Sequence, residues 1–193
     1  MKSVAVWMAL AAAMLLPLIA AAFSPWLAWR QPVYIAAGFA GIAAMSLLFL
    51  QPLLAGGKLP GLSAAQSRHL HRWTGATLTL AVILHVAGLW ITSPPDVIDA
   101  MTFTSPTLFS PFGVIAMWAI FATALWATLR KRLSTTPRSW RRAHKTLAAL
   151  IVTCTVAHAL LIQGTMETTT KWLLSALILL ATASQMSPPR NRP

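Results

Sequence analysis

Apolar residues fall into long runs along this chain, and six of them approach the length of a membrane crossing: 5–24, 33–54, 71–92, 112–130, 144–163 and 172–187. A helix needs about 20 mostly apolar residues to span the hydrocarbon core. The last run is short but uncharged. Between the runs, Pro, Gly, Ser and Thr cluster in FSPWLAWRQP, GGKLPGLSAAQSRH, TSPPDVIDAMTFTSP, KRLSTTPRSWRR and QGTMETTTK. Such clusters read as turn-rich connectors, and none is long enough for a soluble domain. The pattern predicts an all-α, integral membrane six-helix bundle, with residues 1–193 forming one domain.

Composition agrees. Of the 193 residues, 57% are hydrophobic and 9% charged, against about 25% charged in soluble proteins. Lys and Arg number 15 and Asp and Glu 3, a basic excess that by itself is compatible with nucleic acid, anionic lipid or topology signals. Distribution decides the matter. Lys2, then Lys58, Arg68 and Arg72, then Arg130, Lys131, Arg132, Arg138, Arg141, Arg142 and Lys145, then Arg190 and Arg192 all fall on one side of the predicted topology. Arg30 and Lys171 fall on the other, together with Asp96, Asp99 and Glu167. By the positive-inside rule, both termini and the second and fourth loops are expected in the cytoplasm, and nucleic-acid binding is not needed to explain the charge. The first run is longer than a signal-peptide core, so it is read as a retained span although LIAAAF offers small residues for cleavage.

The runs carry polar rings that lipid burial does not call for. Histidines stand at 69, 71, 85, 144 and 158, and four of them form two pairs separated by fourteen positions, in HRWTGATLTLAVILHV and HKTLAALIVTCTVAHA. At 100° per residue that spacing is about 40° short of four turns, which puts both rings of a pair near one helix face, roughly 21 Å apart along the axis. The third and fifth spans run parallel, so His71 is expected to face His144 near the cytoplasmic interface and His85 to face His158 nearer the outer one. Two facing imidazoles are the axial set of a six-coordinate haem iron. Two such pairs would hold two haems between the third and fifth helices. Gly75 and Ala148, four residues after the first ligands, are candidates for making room beside the macrocycle. A hydrogen-bonding role at a helix interface, a metal site or a proton path are the rival uses of intramembrane histidines.

Neighbouring residues refine this. Arg72 is the best candidate for pairing with a haem propionate, given the fork geometry of guanidinium; Arg141, Arg142 and Lys145 are lesser ones, and all four also serve as topology signals. His69 is expected in a polar loop. The single Cys154 excludes an internal disulfide and any multi-cysteine metal site, and no Cys-x-x-Cys-His motif is present, so haem would be held non-covalently.

HRWTG with a second histidine fourteen residues after the first, followed by WRRAHK with another fourteen later, resembles the ferric reductase-like transmembrane domain. Its relatives include ferric-chelate reductases, the NADPH oxidase membrane core and the haem-binding subunit of the bacterial methionine sulfoxide reductase system. The resemblance implies two b-type haems on His71, His85, His144 and His158, with Arg72 on a propionate. The relatives with fused flavin and nicotinamide domains differ from this chain, where only SQMSPPRNRP follows the last run and no glycine-rich dinucleotide fingerprint occurs. The methionine sulfoxide reductase subunit differs too, its third span lacking a counterpart of His71.

The reading that follows is a dihaem cytochrome in a bacterial inner membrane, an electron-transfer subunit of an oxidoreductase and not a complete enzyme. Electrons would pass from a separate cytosolic flavoprotein, docked on the basic 130–145 loop, to an acceptor outside. One alternative is a haem-binding subunit fed by membrane quinol that serves a periplasmic reductase. Another is a haem-independent metal or proton transporter.

Overall fold

The computed structural model describes residues 2–186, with side chains from residue 3. Among the described residues there are seven α-helices: α1 (Lys2–Ala22), α2 (Pro32–Ala55), α3 (Ala64–Thr92), α4 (Pro94–Met101), α5 (Ser110–Leu129), α6 (Pro137–Leu161) and α7 (Thr168–Met186), with a 310 turn at Pro25–Leu27. The side chain of Lys2, the charges of Arg190 and Arg192, and the end of the expected 172–187 run lie outside the described residues. Five helices, α1, α2, α3, α5 and α6, are long and apolar enough to cross a membrane. The sixth expected crossing coincides with α7, which does not reach the same measure, because Thr168 to Lys171 open it and Gln185 lies in its last turn.

Several helices begin before the apolar runs do, and the reason is capping. At the start of α3, Ser63 Oγ accepts from the Gln66 amide at 3.2 Å while Gln66 Oε1 accepts from the Ser63 amide at 2.8 Å, a reciprocal box that satisfies two orphan N–H groups. The expected polar loop around His69 is therefore corrected: His69 is helical, within α3. In α6, Thr136 Oγ1 caps the Ser139 amide at 3.2 Å, and Pro137 supplies a φ already suited to the first turn. The segment TSPPDVIDAMTFTSP is likewise more than a connector. Pro94 and Pro95 begin α4, with the Ser93 hydroxyl donating to the Asp96 carboxylate.

Helices α2 and α3 lie antiparallel and share the largest interface, and α5 and α6 form the second antiparallel pair. The flanking helix α1 packs on α2 and α7, and α7 also packs on α2 and α6. Leu48, Leu78, Ile120, Val152, Leu174 and Ile178 meet in the buried centre. Hydrogen bonds align the ends. Trp7 Nε1 donates to the Pro60 carbonyl at 3.2 Å, Lys58 Nζ to Ser184 Oγ at 2.8 Å and Lys145 Nζ to the Gln185 carbonyl at 3.1 Å. The start of α1, the α2–α3 turn, the first turns of α6 and the end of α7 thus gather at one end of the bundle. That end also carries exposed Arg130, Lys131, Arg132, Arg138, Arg141 and Arg142.

At the opposite end lie α4, the 310 turn and the α6–α7 connection. Lys171 is only 6% exposed there, and its Nζ donates to the Ile162 carbonyl at 2.6 Å. Glu167 caps α7: the amides of Thr170 and Thr169 each donate to its carboxylate at 2.7 Å, which lowers its pKa to about 2.

Candidate functional site

The outer histidines are positioned by a device that recurs on two helix pairs. His85 on α3 donates its Nδ1–H to the carbonyl of Ala37 on α2 at 2.7 Å, and His158 on α6 donates to the carbonyl of Phe109 on α5 at 2.9 Å. Each carbonyl lies inside or at the edge of a helix and serves a second donor with its other lone pair. Access requires a gap in the side-chain layer, because Cβ of residue i+4 leans toward the N-terminus over the carbonyl of residue i. That residue is Gly41 in one case and Gly113 in the other. A Cβ on Gly41 would lie 2.9 Å from His85 Nδ1, and one on Gly113 would lie 2.6 Å from both Cε1 and Nδ1 of His158. Only glycine leaves the imidazole its seat. The ring of Phe109 adds an edge contact to His158 at 5.7 Å.

At the inner level, His71 Nδ1 donates to the carbonyl of Gln51 at 3.3 Å. The Gln51 side chain in turn donates to Thr74 Oγ1 at 2.7 Å, tying the same stretch of α2 to the turn after His71. His144 departs from the rule. Its Nδ1 is buried without a hydrogen-bond partner, and the indole of Trp140 stacks on its ring at 5.0 Å and 24°.

Of the two expected pairs, the structure places the inner one in contact. His71 and His144 face each other with centroids 6.0 Å apart and planes crossed at 80°. His85 and His158 occupy like positions on α3 and α6, each bonded to a carbonyl of the neighbouring helix. Of the helices that carry them, α3 packs chiefly on α2 and α6 chiefly on α5. Arg72 is exposed and lines a groove of about 520 Å³ with Leu62, Ala65, Gln66, His69 and Leu70. In that groove His69 Nε2 accepts from Trp73 Nε1 at 2.9 Å. Arg141 and Arg142 are exposed, and Lys145 reaches the end of α7.

At Gly75, the nearest atom to a Cβ would be Gln51 Oε1 at 3.7 Å, an ordinary contact. Gly41 and Gly113 were not among the sequence-predicted positions. A signal existed: each glycine interrupts an apolar run, Gly41 thirty residues before His71 and Gly113 thirty-one before His144.

The donor set fits iron porphyrin. Among the described residues no three His, Cys, Asp or Glu side chains come together as a ligand cluster, and the inner level brings two imidazoles together. Porphyrin would supply four nitrogens to its iron and leave two positions that protein side chains such as a pair of imidazoles could fill. With Nδ1 donating to a carbonyl, Nε2 of His71, His85 and His158 carries the lone pair that a metal needs. At the inner level the 6.0 Å centroid separation is close to the sum of two ring radii and two metal–imidazole bonds of about 2 Å each.

Comparison with protein-family models matches residues 37–155 to the ferric reductase like transmembrane component. That match takes in the whole of α3 with His69, His71 and His85, together with Gly41, Gly113 and His144, and ends three residues before His158. No curated protein and no solved structure matches the chain. With five membrane-capable helices and well over half of its length matched, the chain is an integral multi-pass membrane protein belonging to the ferric reductase-like transmembrane component family.

Proposed function

We propose that the chain is a transmembrane dihaem b-type cytochrome, passing electrons from a donor at the basic end of the bundle to an acceptor at the opposite end. Family membership supports a membrane oxidoreductase-type component. The finer reading is carried by the paired rings, above all His71 against His144 at 6.0 Å. When bound, haem supplies one-electron iron chemistry. The chain does the rest. His71 and His144 would hold the inner haem and His85 and His158 the outer one, and a haem held by protein on both faces would serve electron transfer over substrate binding at the metal. Hydrogen bonds from Nδ1 to Gln51, Ala37 and Phe109 fix the tautomers and increase ligand basicity. Arg72 pairs with an inner propionate.

By the positive-inside rule, the end with Lys58 and the 130–145 cations faces the cytosol of a bacterial inner-membrane protein, with both termini on that side. A flavoprotein with an acidic face docks there, since complementary charge steers encounter and fixes orientation. The chain then acts as an electron-transfer component of an oxidoreductase.

A second reading takes quinol from the membrane as the donor and a periplasmic reductase as the client. Its support is the groove beside His69 and Arg72, whose Leu62, Ala65 and Leu70 walls suit an apolar ligand.

Pyridine haemochrome quantification on purified protein tests the main proposal, with two b-type haems per chain expected. A chain without haem would overturn it in favour of metal or proton transport, and one haem per chain would break the four-ligand assignment. Anaerobic reduction by NAD(P)H with a flavin reductase, or by quinol, separates the two donors.

A further inference from the structure

Three of the four paired histidines have their ring rotation set by a backbone carbonyl; the fourth does not. Torsion about Cβ–Cγ of histidine is soft, so without a bond at Nδ1 the His144 ring needs another restraint. The neighbour that supplies it is one turn upstream, at the i−4 position where side chains on one helix face meet. Trp140 stacks on His144 at 5.0 Å and 24°. The indole is itself held. Trp126 meets it edge-on at 5.9 Å and 78°, Trp126 Nε1 donates to Thr135 Oγ1 at 3.2 Å, and the Arg130 guanidinium lies over it at 5.6 Å. Thr135 and Arg130 belong to the α5–α6 loop, so this loop braces an inner-level ring from outside the ring pair.

We propose that Trp140 is a positioning residue that holds the His144 imidazole crossed to that of His71. The inference rests on the dihaem reading above. Its consequence is electronic. Each axial imidazole raises, through its π system, the iron d orbital that overlaps it. Parallel rings raise the same orbital and split the pair, whereas rings crossed at 80° raise both and leave them nearly degenerate. A crossed site therefore has a strongly anisotropic low-spin ferric EPR signal, and a parallel site a rhombic one. Side chains around a metal ligand set its orientation and thereby tune the metal.

The test is low-temperature EPR on the full-length haem-loaded protein, with optical redox titration run alongside to count both components. The signal surviving in His158→Ala assigns the inner site. In wild type that signal is expected to be strongly anisotropic. Trp140→Ala is expected to move it toward the rhombic form or to lose the inner component, and Trp140→Phe, which keeps a flat stacking ring, to retain it. Trp140→Leu supplies bulk without a flat face and is expected to behave like Trp140→Ala. An unchanged inner signal in Trp140→Ala, or a crossed signal kept by Trp140→Leu, in a protein holding both haems, overturns this inference and leaves the proposed function standing. Absence of b-type haem from the wild type overturns both.

Discussion

The sharpest perturbation is a single methyl group at residue 113. In α5 the Phe109 carbonyl accepts from the Gly113 amide at 3.2 Å and from His158 Nδ1 at 2.9 Å. In Gly113→Ala the new Cβ would lie 2.6 Å from two atoms of the His158 ring. Comfortable carbon contacts start near about 3.5 Å, so the ring must withdraw by roughly 1 Å. That movement takes Nδ1 beyond hydrogen-bonding distance of the carbonyl. The lost bond costs about 1 kcal/mol and the crowding about 1–3 kcal/mol, so the site is weakened by about 2–4 kcal/mol in total. Losing the hydrogen bond that orients a metal ligand typically lowers metal affinity about 10–100-fold. The assay is haem stoichiometry with an optical redox titration of the purified variant. The outer component is expected to be depleted or shifted and the inner one kept. Gly41→Ala should act on the same component more mildly, because its nearest contact, His85 Nδ1, is at 2.9 Å. A Gly113→Ala protein with an unaltered outer component, or one that loses the inner component instead, would refute the idea that this glycine seats an outer ligand.

Replacing His71 or His144 with alanine is expected to remove one spectral component, and replacing His85 or His158 the other; any other grouping of the four variants contradicts the pairing. Ile178→Ala, at a fully buried position of α7, should lower stability by about 2–5 kcal/mol, read by thermal unfolding in detergent. Leu180→Ala, 68% exposed on the same helix, should change it by no more than about 0.5 kcal/mol, and equal losses would contradict the assigned burial. The Glu167 carboxyl is lowered to about 2 from 4.5 by the amides of Thr170 and Thr169, so its contribution to capping α7 is complete above about pH 4.5 and is lost as pH falls through about 2. Thermal midpoints of wild type and Glu167→Gln should therefore converge as pH drops across that window, and a gap that stays constant would count against the cap.

Some of this molecule is written one-dimensionally. Apolar run length predicts crossings because a bilayer has one thickness, and five of the six runs fold as helices long and apolar enough to cross, α1, α2, α3, α5 and α6. The fourteen-residue histidine spacing predicts rings on one face at two depths because helix pitch is constant, and His71 and His144 do meet. Even the early start of α3 was legible, in the capping pattern of Ser63 and Gln66. Other features needed the fold. The carbonyls that seat His71, His85 and His158 lie 20, 48 and 49 residues away, and which carbonyl a ring reaches depends on how two helices pair in space. The same holds for Gly41 and Gly113, whose missing Cβ matters only because another helix brings a ring against it. The indole beside His144 is legible as an i−4 neighbour in α6, but that His144, unlike its three counterparts, finds no carbonyl for Nδ1 is decided only by packing. Length, spacing and charge are properties of a line and can be read from it, whereas hydrogen-bond partners and close contacts belong to surfaces that exist only once the helices have packed.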